Sequence, residues 1–167
     1  MIINTKIKEH KKMKPVLLNL IKEMPNVSDV TVTKSDWTIP KETPRHYLSV
    51  FHNLMRPYMD KMAKRFRCSS WIIHNTWYHQ YKKGSDFGWH IHPACHFTNV
   101  YFLDLPDQKE VTEIFDEKYK LMKVEAKEGD LITFPGFYLH RAPKVKTHKT
   151  AIVFNSSVEK LTNKKYE

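Results

Sequence analysis

The sequence contains few cysteines and few glycines, and both shortages exclude whole classes of protein. Two cysteines among 167 residues, Cys68 and Cys95, are too few for a disulfide framework, and neither lies in a CxxC pair. Four glycines exclude collagen-like and low-complexity chains. With a hydrophobic fraction of 41% and an aromatic fraction of 13%, the composition is that of one domain with a substantial core.

The sequence also lacks a long apolar run. No stretch approaches the ~18 consecutive apolar residues of a transmembrane helix, so we expect no membrane span. The initial segment, MIINTKIKEHKK, carries charges where a signal peptide needs its apolar stretch. From these two observations we expect an intracellular, cytoplasmic protein.

Acidic residues are too few to balance the basic ones. There are 28 Lys and Arg against 18 Asp and Glu, a formal net charge of +10. Such an excess favours acidic partners, such as nucleic acid, anionic surfaces or acidic metabolites. The charges are spread along the chain, and no RRM, KH or zinc-finger spacing is present, so solvated basic faces are an equally good interpretation.

The first part of the chain has helical patterns. Apolar residues recur at helical spacing over Lys8–Met24 and again over Pro44–Arg67, which predicts two helices with one buried face each. Pro57 lies inside the second pattern and predicts a kink or a split. Between the helices, Asp29–Thr33 is predicted to be a short edge strand.

From Ser69 onward the patterns are those of short strands. The predicted strands are 69–81, 88–92, 97–105, 111–115, 119–124, 130–134, 137–141 and 147–157. Many short strands separated by regular turns predict a mainly β (α+β) fold with a jelly-roll core and the N-terminal helices packed on one sheet. We expect a single domain, with helical support over 1–68, the jelly-roll core over 69–158 and a tail over 159–167.

Two histidines one residue apart, His90 and His92, are the most informative feature of the sequence. Residues i and i+2 of a strand point to the same face, so two imidazoles can be aimed at one point. His140, on a distant predicted strand, would complete a three-nitrogen face that leaves other positions on a metal open, as catalysis requires. Such a site suits Fe(II), Zn(II) or another borderline ion. Lys149, nine residues further, offers a cation for an acidic co-substrate.

Two stretches resemble one enzyme superfamily. Trp77–Pro106, WYHQYKKGSDFGWHIHPACHFTNVYFLDLP, resembles the core motif of the 2-oxoglutarate and Fe(II)-dependent oxygenases, most of all a small branch with a tryptophan, a glycine, an HxHP element and a GVYY-like strand. Glu128–Asn155, EGDLITFPGFYLHRAPKVKTHKTAIVFN, resembles that family's closing segment, in which a glycine-acid turn, an FP pair, a histidine and a basic residue precede a final FN strand. The resemblance covers roughly 70–157.

The resemblance implies a fold, a reaction and a set of site residues. His90, His92 and His140 fall on the iron-ligand positions, and Lys149 falls where the family places the basic residue for the far carboxylate of 2-oxoglutarate. The implied cofactors are Fe(II), 2-oxoglutarate and O2, and the implied fold is the double-stranded β-helix. The implied activity is that of a non-heme iron dioxygenase that hydroxylates an unknown substrate and releases succinate and CO2.

The sequence departs from the family pattern at the second ligand. The wider superfamily usually has a carboxylate there, as HxD or HxE, whereas this chain has His92. Asp86 is near enough in sequence to be considered as a carboxylate ligand, but it lies in a predicted loop and is the less favoured candidate.

A second departure is at the co-substrate anchor. Lys149-Thr150-Ala151 stands where many members have arginine followed two residues on by serine. Lysine supplies charge but not a bidentate fork, so another group is expected to complete the binding of that carboxylate. The candidates are Tyr81, Asn99 and Tyr101.

Two alternative functions stay open at this point. A three-histidine, cupin-like metalloenzyme on the same barrel would bind metal but ignore 2-oxoglutarate, and Lys149 argues against it. A basic module that binds nucleic acid or an acidic ligand would carry the histidines incidentally. The substrate cannot be read from the sequence. The candidate walls of the pocket are Trp77, Trp89, Phe134 and Tyr138, and Arg141 is expected to face away from it.

Overall fold

The structure, a computed structural model, describes residues 1–25 and 34–161. The elements in chain order are β1 (Ile3–Lys6), α1 (His10–Lys22), β2 (Lys34–Ser35), α2 (His46–Arg65), β3 (Cys68–Lys82), β4 (Phe87–His90), β5 (Phe97–Asp104), a 3₁₀ turn (Gln108–Glu110), β6 (Glu113–Phe115), β7 (Leu121–Met122), β8 (Asp130–Pro135), β9 (His140–Ala142) and β10 (His148–Leu161). The predicted edge strand Asp29–Thr33 lies outside the described residues.

The strands of the described ranges form two antiparallel sheets. The major sheet has the order β1-β8-β5-β10-β3-β2, and the minor sheet has the order β4-β9-β6-β7. The chain passes from the major sheet to the minor sheet and back as it runs from β3 through β4 to β5. This arrangement is the predicted jelly roll, and the expectation of a mainly β fold with two N-terminal helices is confirmed.

Both helices pack on one face of the major sheet. Leu17 and Ile21 of α1 and Phe51 and Met55 of α2 are buried in one cluster with apolar side chains of β3, β5 and β10. The predicted split at Pro57 does not occur, since α2 runs unbroken from His46 to Arg65. The free energy gained by burying the flanking helix face against the sheet exceeds the cost of the backbone hydrogen bond that proline cannot make.

Strand β1 is an element that the sequence patterns did not predict. It pairs with β8 from Ile3 opposite Thr133 to Lys6 opposite Asp130, at one edge of the major sheet. Its short polar-apolar sequence, INTK, carries little periodicity, so the neighbouring strand rather than its own composition decides its conformation. No helix in the described part of the chain is long and apolar enough to cross a membrane.

Alternation along the central strands decides which side chains face the minor sheet. On β5, Val100 and Phe102 point into a second cluster between the two sheets, whereas Tyr101 and Leu103 join the cluster under the helices. On β10, Ala151 and Val153 likewise point into the cluster between the sheets, whereas Ile152 and Phe154 join the cluster under the helices. Both faces of these central strands are therefore buried. The space between the sheets is where the predicted site residues are found.

Candidate metal centre

Three histidines converge between the two sheets. His90 ends β4, His140 begins β9, and the two residues are paired across these strands. His92 lies just beyond β4. The ring centroids are 4.3 Å apart for His90 and His140, 4.9 Å for His92 and His140, and 5.0 Å for His90 and His92. One ligand atom from each ring lies within 4.8 Å of those of the other two.

Each of the three imidazoles is held through Nδ1. The Nδ1 atoms of His90 and His140 donate to the carbonyl oxygen of the residue two positions earlier in the chain, at 2.7 and 2.9 Å. His92 Nδ1 donates to Asn155 Oδ1 at 2.7 Å. Because these oxygens can only accept, the network assigns the proton to Nδ1 and leaves the lone pair on Nε2. This is the tautomer and the anchoring that metal-binding histidines have.

Burial keeps the three imidazoles uncharged. Burial, together with the nearby His90 ring, lowers the pKa of His140 to about 3. Burial likewise lowers the pKa of His92 to about 4. The pKa of His90 is also lowered by burial. Near pH 7 all three rings can therefore bind a cation without first releasing a proton, and their borderline nitrogen donors fit Fe(II) or another first-row ion.

A buried cation shares a pocket with the histidines. Lys149 is 2% exposed, its Nζ donates to the carbonyl oxygen of Glu110 at 2.9 Å, and the same atom lies 4.8 Å from the ring centroid of Tyr81. Burial lowers the pKa of Lys149 to about 8, so the ammonium form still predominates near neutral pH. The Glu110 carboxylate offsets only part of the cost of burying this ammonium, so a second carboxylate that enters the pocket would be attracted strongly.

The pocket has a mostly apolar wall with a few polar groups. Lining residues are Trp77, His79, Tyr81, Phe87, His90, His92, Val100, Phe102, Thr112, His140, Arg141, Ala142, Lys149, Ala151 and Val153. Tyr81, a candidate for completing the binding of the co-substrate carboxylate, therefore lines the pocket together with Lys149. Thr112, which is buried and polar, is a lining residue that the sequence analysis did not single out.

Two of the expected co-substrate contacts are corrected by the structure. Asn99 and Tyr101 lie on the helix-facing side of β5, because Val100 and Phe102 take the pocket side. Tyr101 Oη lies 2.7 Å from His10 Nδ1, and the amide of Asn99 is bonded to hydroxyl groups of β8 and β10. Both side chains support the helix-facing layer, and neither reaches the pocket.

The other candidates divide between the pocket and the surface. Trp77 lines the pocket, and the Phe134 ring packs against His140 with centroids 4.8 Å apart. Trp89 instead lies under the guanidinium of Arg141, 4.7 Å from it. That guanidinium pairs with a carboxylate of β6, and part of Arg141 lines the pocket, although the sequence predicts that it faces away. The hydroxyl of Tyr138 donates to a loop carboxylate, and the exposed Asp86 is not part of the histidine cluster.

Sequence reasoning missed the side chains that hold His92. Asn155 and Thr98 are both buried, and Thr98 Oγ1 lies 3.0 Å from His92 Nδ1. The available signal was the FN pair, Phe154-Asn155, which ends the closing segment of the resemblance. Its asparagine points to the metal side of β10, next to Val153 on that face.

A second cleft, which we call the outer cleft, opens beside the same histidines. Its volume is about 420 Å³, and its lining is Trp37, Asn75, Trp77, His79, Phe87, His90, Ile91, His92, Pro93 and Asn155. Trp37 is 55% exposed and packs edge-on against Trp77, with centroids 4.5 Å apart. Among the described residues no lysine, arginine, aspartate or glutamate lines this cleft.

The fold and the site define a jelly roll with three imidazoles gathered between its sheets. Among solved structures, an oxidoreductase of the 2OG-Fe(II) oxygenase family from Burkholderia pseudomallei superposes with a TM-score of 0.74 at 13% identity, over 97% of this chain and 86% of that one. The viral collagen prolyl hydroxylase of Paramecium Bursaria Chlorella virus-1, in its 2OG complex, gives a TM-score of 0.65 at 15% identity, over 93% of this chain and 94% of that one.

A prolyl-4-hydroxylase from Pseudomonas putida is also similar, with a TM-score of 0.60 at 12% identity over 95% of this chain and 92% of that one. No protein-family model and no curated protein matches the sequence. The likeness therefore establishes the fold, which is the fold of the 2-oxoglutarate and Fe(II)-dependent oxygenases, as the resemblance in the sequence implies.

Proposed function

We propose that this chain is a 2-oxoglutarate and Fe(II)-dependent oxygenase that hydroxylates a substrate and releases succinate and CO2. The observation that carries the proposal is the combination, in one pocket, of three anchored imidazoles with a buried lysine. The fold shared with solved oxygenases supports the same function, but the residues of the site, and not the fold, carry the assignment of the reaction.

The residues have separate roles in this proposal. His90, His92 and His140 hold Fe(II) through Nε2, and Lys149 receives the far carboxylate of 2-oxoglutarate beside the Tyr81 ring. When bound, Fe(II) and O2 supply an oxidation in which 2-oxoglutarate becomes succinate and CO2 while a substrate C–H bond gains a hydroxyl group. The apolar wall of the pocket keeps water from the reacting groups.

The outer cleft is where the substrate is proposed to approach the metal. Because no charged side chain lines it in the described ranges, the part of the substrate that enters is uncharged, whatever acidic groups the basic surface attracts elsewhere. The similar structures include prolyl hydroxylases, so a residue of a peptide is one candidate and a small molecule is another. Nucleic acid remains a weaker candidate, and the expected location is the cytoplasm.

The two alternatives make different use of the same residues. A cupin-like enzyme that ignores 2-oxoglutarate leaves Lys149 without a role, although burying a lysine costs free energy. A nucleic-acid module with incidental histidines does not explain why each Nδ1 is anchored and each Nε2 is left for a ligand.

The test is an anaerobic titration of metal-free protein with Fe(II) and then 2-oxoglutarate, followed by visible absorption. We expect a weak charge-transfer band that needs both additions and is lost in His140→Ala. The matched control is His46→Ala, since His46 is an exposed histidine outside the cluster. Binding of Fe(II) with no band on adding 2-oxoglutarate would favour the cupin-like enzyme, and no binding of metal would favour the basic binding module.

A further inference from the structure

We infer that Asn155 and Thr98 are positioning residues that set the direction of His92 as a metal ligand. The inference rests on the proposed metal centre. It starts from an asymmetry among the three histidines. His90 and His140 are held by main-chain carbonyl groups two residues earlier in the chain, whereas His92 is held by side chains from β5 and β10 of the opposite sheet.

His92 needs this support because its own backbone does not aim it. Strand β4 ends at His90, so the regular alternation that would direct residue 92 stops short of it. The main chain at His92 is held by a hydrogen bond in which His92 N donates to the carbonyl oxygen of Gly136 at 2.8 Å. That bond holds the position of the residue, but the rotation of the ring depends on what Nδ1 contacts.

Asn155 and Thr98 are placed to make that contact. They are directly paired across β10 and β5, and they are 7% and 0% exposed. Asn155 Oδ1 lies 2.7 Å and Thr98 Oγ1 3.0 Å from His92 Nδ1. The register of β10 against β3 shifts between Asn155 and Ser156, and irregularities of this kind re-aim side chains beside functional sites.

The polar pair also interrupts an apolar surface. The neighbouring inward residues of the same two strands are Val100, Phe102 and Val153. A buried amide and hydroxyl cost free energy on such a surface unless they are hydrogen-bonded. The oxygens of both side chains are bonded to His92, so a packing role alone does not account for polar residues at both positions.

The test measures the affinity of the metal-free protein for Co(II), by absorption titration, in wild type and three variants. Asn155→Leu removes the acceptor with little change in size and should weaken Co(II) binding about 10- to 100-fold, as loss of an anchor on a ligating histidine typically does. Asn155→Asp restores an acceptor oxygen and should recover most of the affinity. Asn53→Leu is the matched control, because Asn53 is an exposed asparagine of α2 that lines neither the pocket nor the outer cleft and makes no bond to the three histidines.

Two results would overturn the inference. One is an N155L protein that binds Co(II) as tightly as wild type. The other is an N155D protein as weak as N155L, since the loss would then come from repacking rather than from the missing acceptor. If N155L does not fold, as judged by circular dichroism, Asn155→Ser takes its place with the same expectation, because serine is too short to reach Nδ1. If wild type binds no Co(II), the metal centre itself is refuted, which distinguishes failure of the proposed function from failure of this inference.

Discussion

Replacement of Lys149 by methionine should change stability and co-substrate affinity in a way that depends on pH. The ammonium group is buried, donates to the carbonyl oxygen of Glu110 and is attracted by the carboxylate of the same residue, and burial lowers the pKa of Lys149 from 10.5 to about 8. That difference corresponds to about 3 kcal/mol by which folding disfavours the charged lysine. Methionine has a similar length and no charge, so Lys149→Met removes this cost.

The sign of the pH dependence follows from the lowered pKa. Below pH 8 the lysine is protonated in both the folded and the unfolded chain, so wild type bears the full cost. Between pH 8 and the ordinary pKa of 10.5 the folded protein loses its proton first, and wild type gains stability relative to the variant. The difference in unfolding free energy between the two proteins should change by about 2–3 kcal/mol from pH 7 to pH 10.

At pH 7 the variant also loses a hydrogen bond. The carbonyl oxygen of Glu110 is left without its donor, which costs about 1–3 kcal/mol. The stability of Lys149→Met at a single pH therefore depends on two opposing effects, whereas the change with pH depends on the lysine alone. The same variant should bind 2-oxoglutarate about 10- to 100-fold more weakly, because hydrogen bonds to charged groups contribute about 1.5–3 kcal/mol.

The assay is urea denaturation of the metal-free protein at several values of pH from 7 to 10, with the 2-oxoglutarate titration run in parallel at pH 7. Lys144→Met, at an exposed lysine, is the control and should follow wild type throughout. The reasoning is refuted if the stability curves of wild type and Lys149→Met stay parallel over this range. Unchanged affinity for 2-oxoglutarate in Lys149→Met would refute the assignment of the anchor.

Two further predictions concern the neighbourhood of the site. Gly136→Ala should weaken Fe(II) binding and lower the melting temperature, because a Cβ at this position would lie 2.7 Å from both the carbonyl oxygen of His92 and Cys95 Sγ. Titration with Fe(II) and thermal unfolding measure the two effects. Wild-type values in both measurements would contradict the prediction. Tyr101→Phe should lose about 0.5–1.5 kcal/mol of stability, since it breaks the bond to His10, while the affinity for 2-oxoglutarate stays that of wild type. A weakened co-substrate affinity in Tyr101→Phe would place that hydroxyl back in the pocket.

The layout of elements was largely predictable because hydrophobic periodicity reports it directly. Two amphipathic patterns became α1 and α2, and the run of short alternating segments became the two sheets. Strand β1 was missed because four residues carry too little periodicity, and of the two outcomes expected at Pro57, a kink or a split, the split does not occur because packing on the sheet holds the helix together.

The sequence by itself determined the chemistry of the candidate site, since residue types and order decide it: the nitrogen donors His90, His92 and His140 and the cation Lys149 can be read directly from the chain. Only the tertiary structure decided which side chains face them. Every residue of β5 from Phe97 to Leu103 is buried, so hydropathy could not distinguish its pocket face from its helix face, and Asn99 and Tyr101 were assigned to the wrong one. The anchor of His92 was equally hidden, because Asn155 lies 63 positions away in sequence and meets the ring only when the two sheets close on each other.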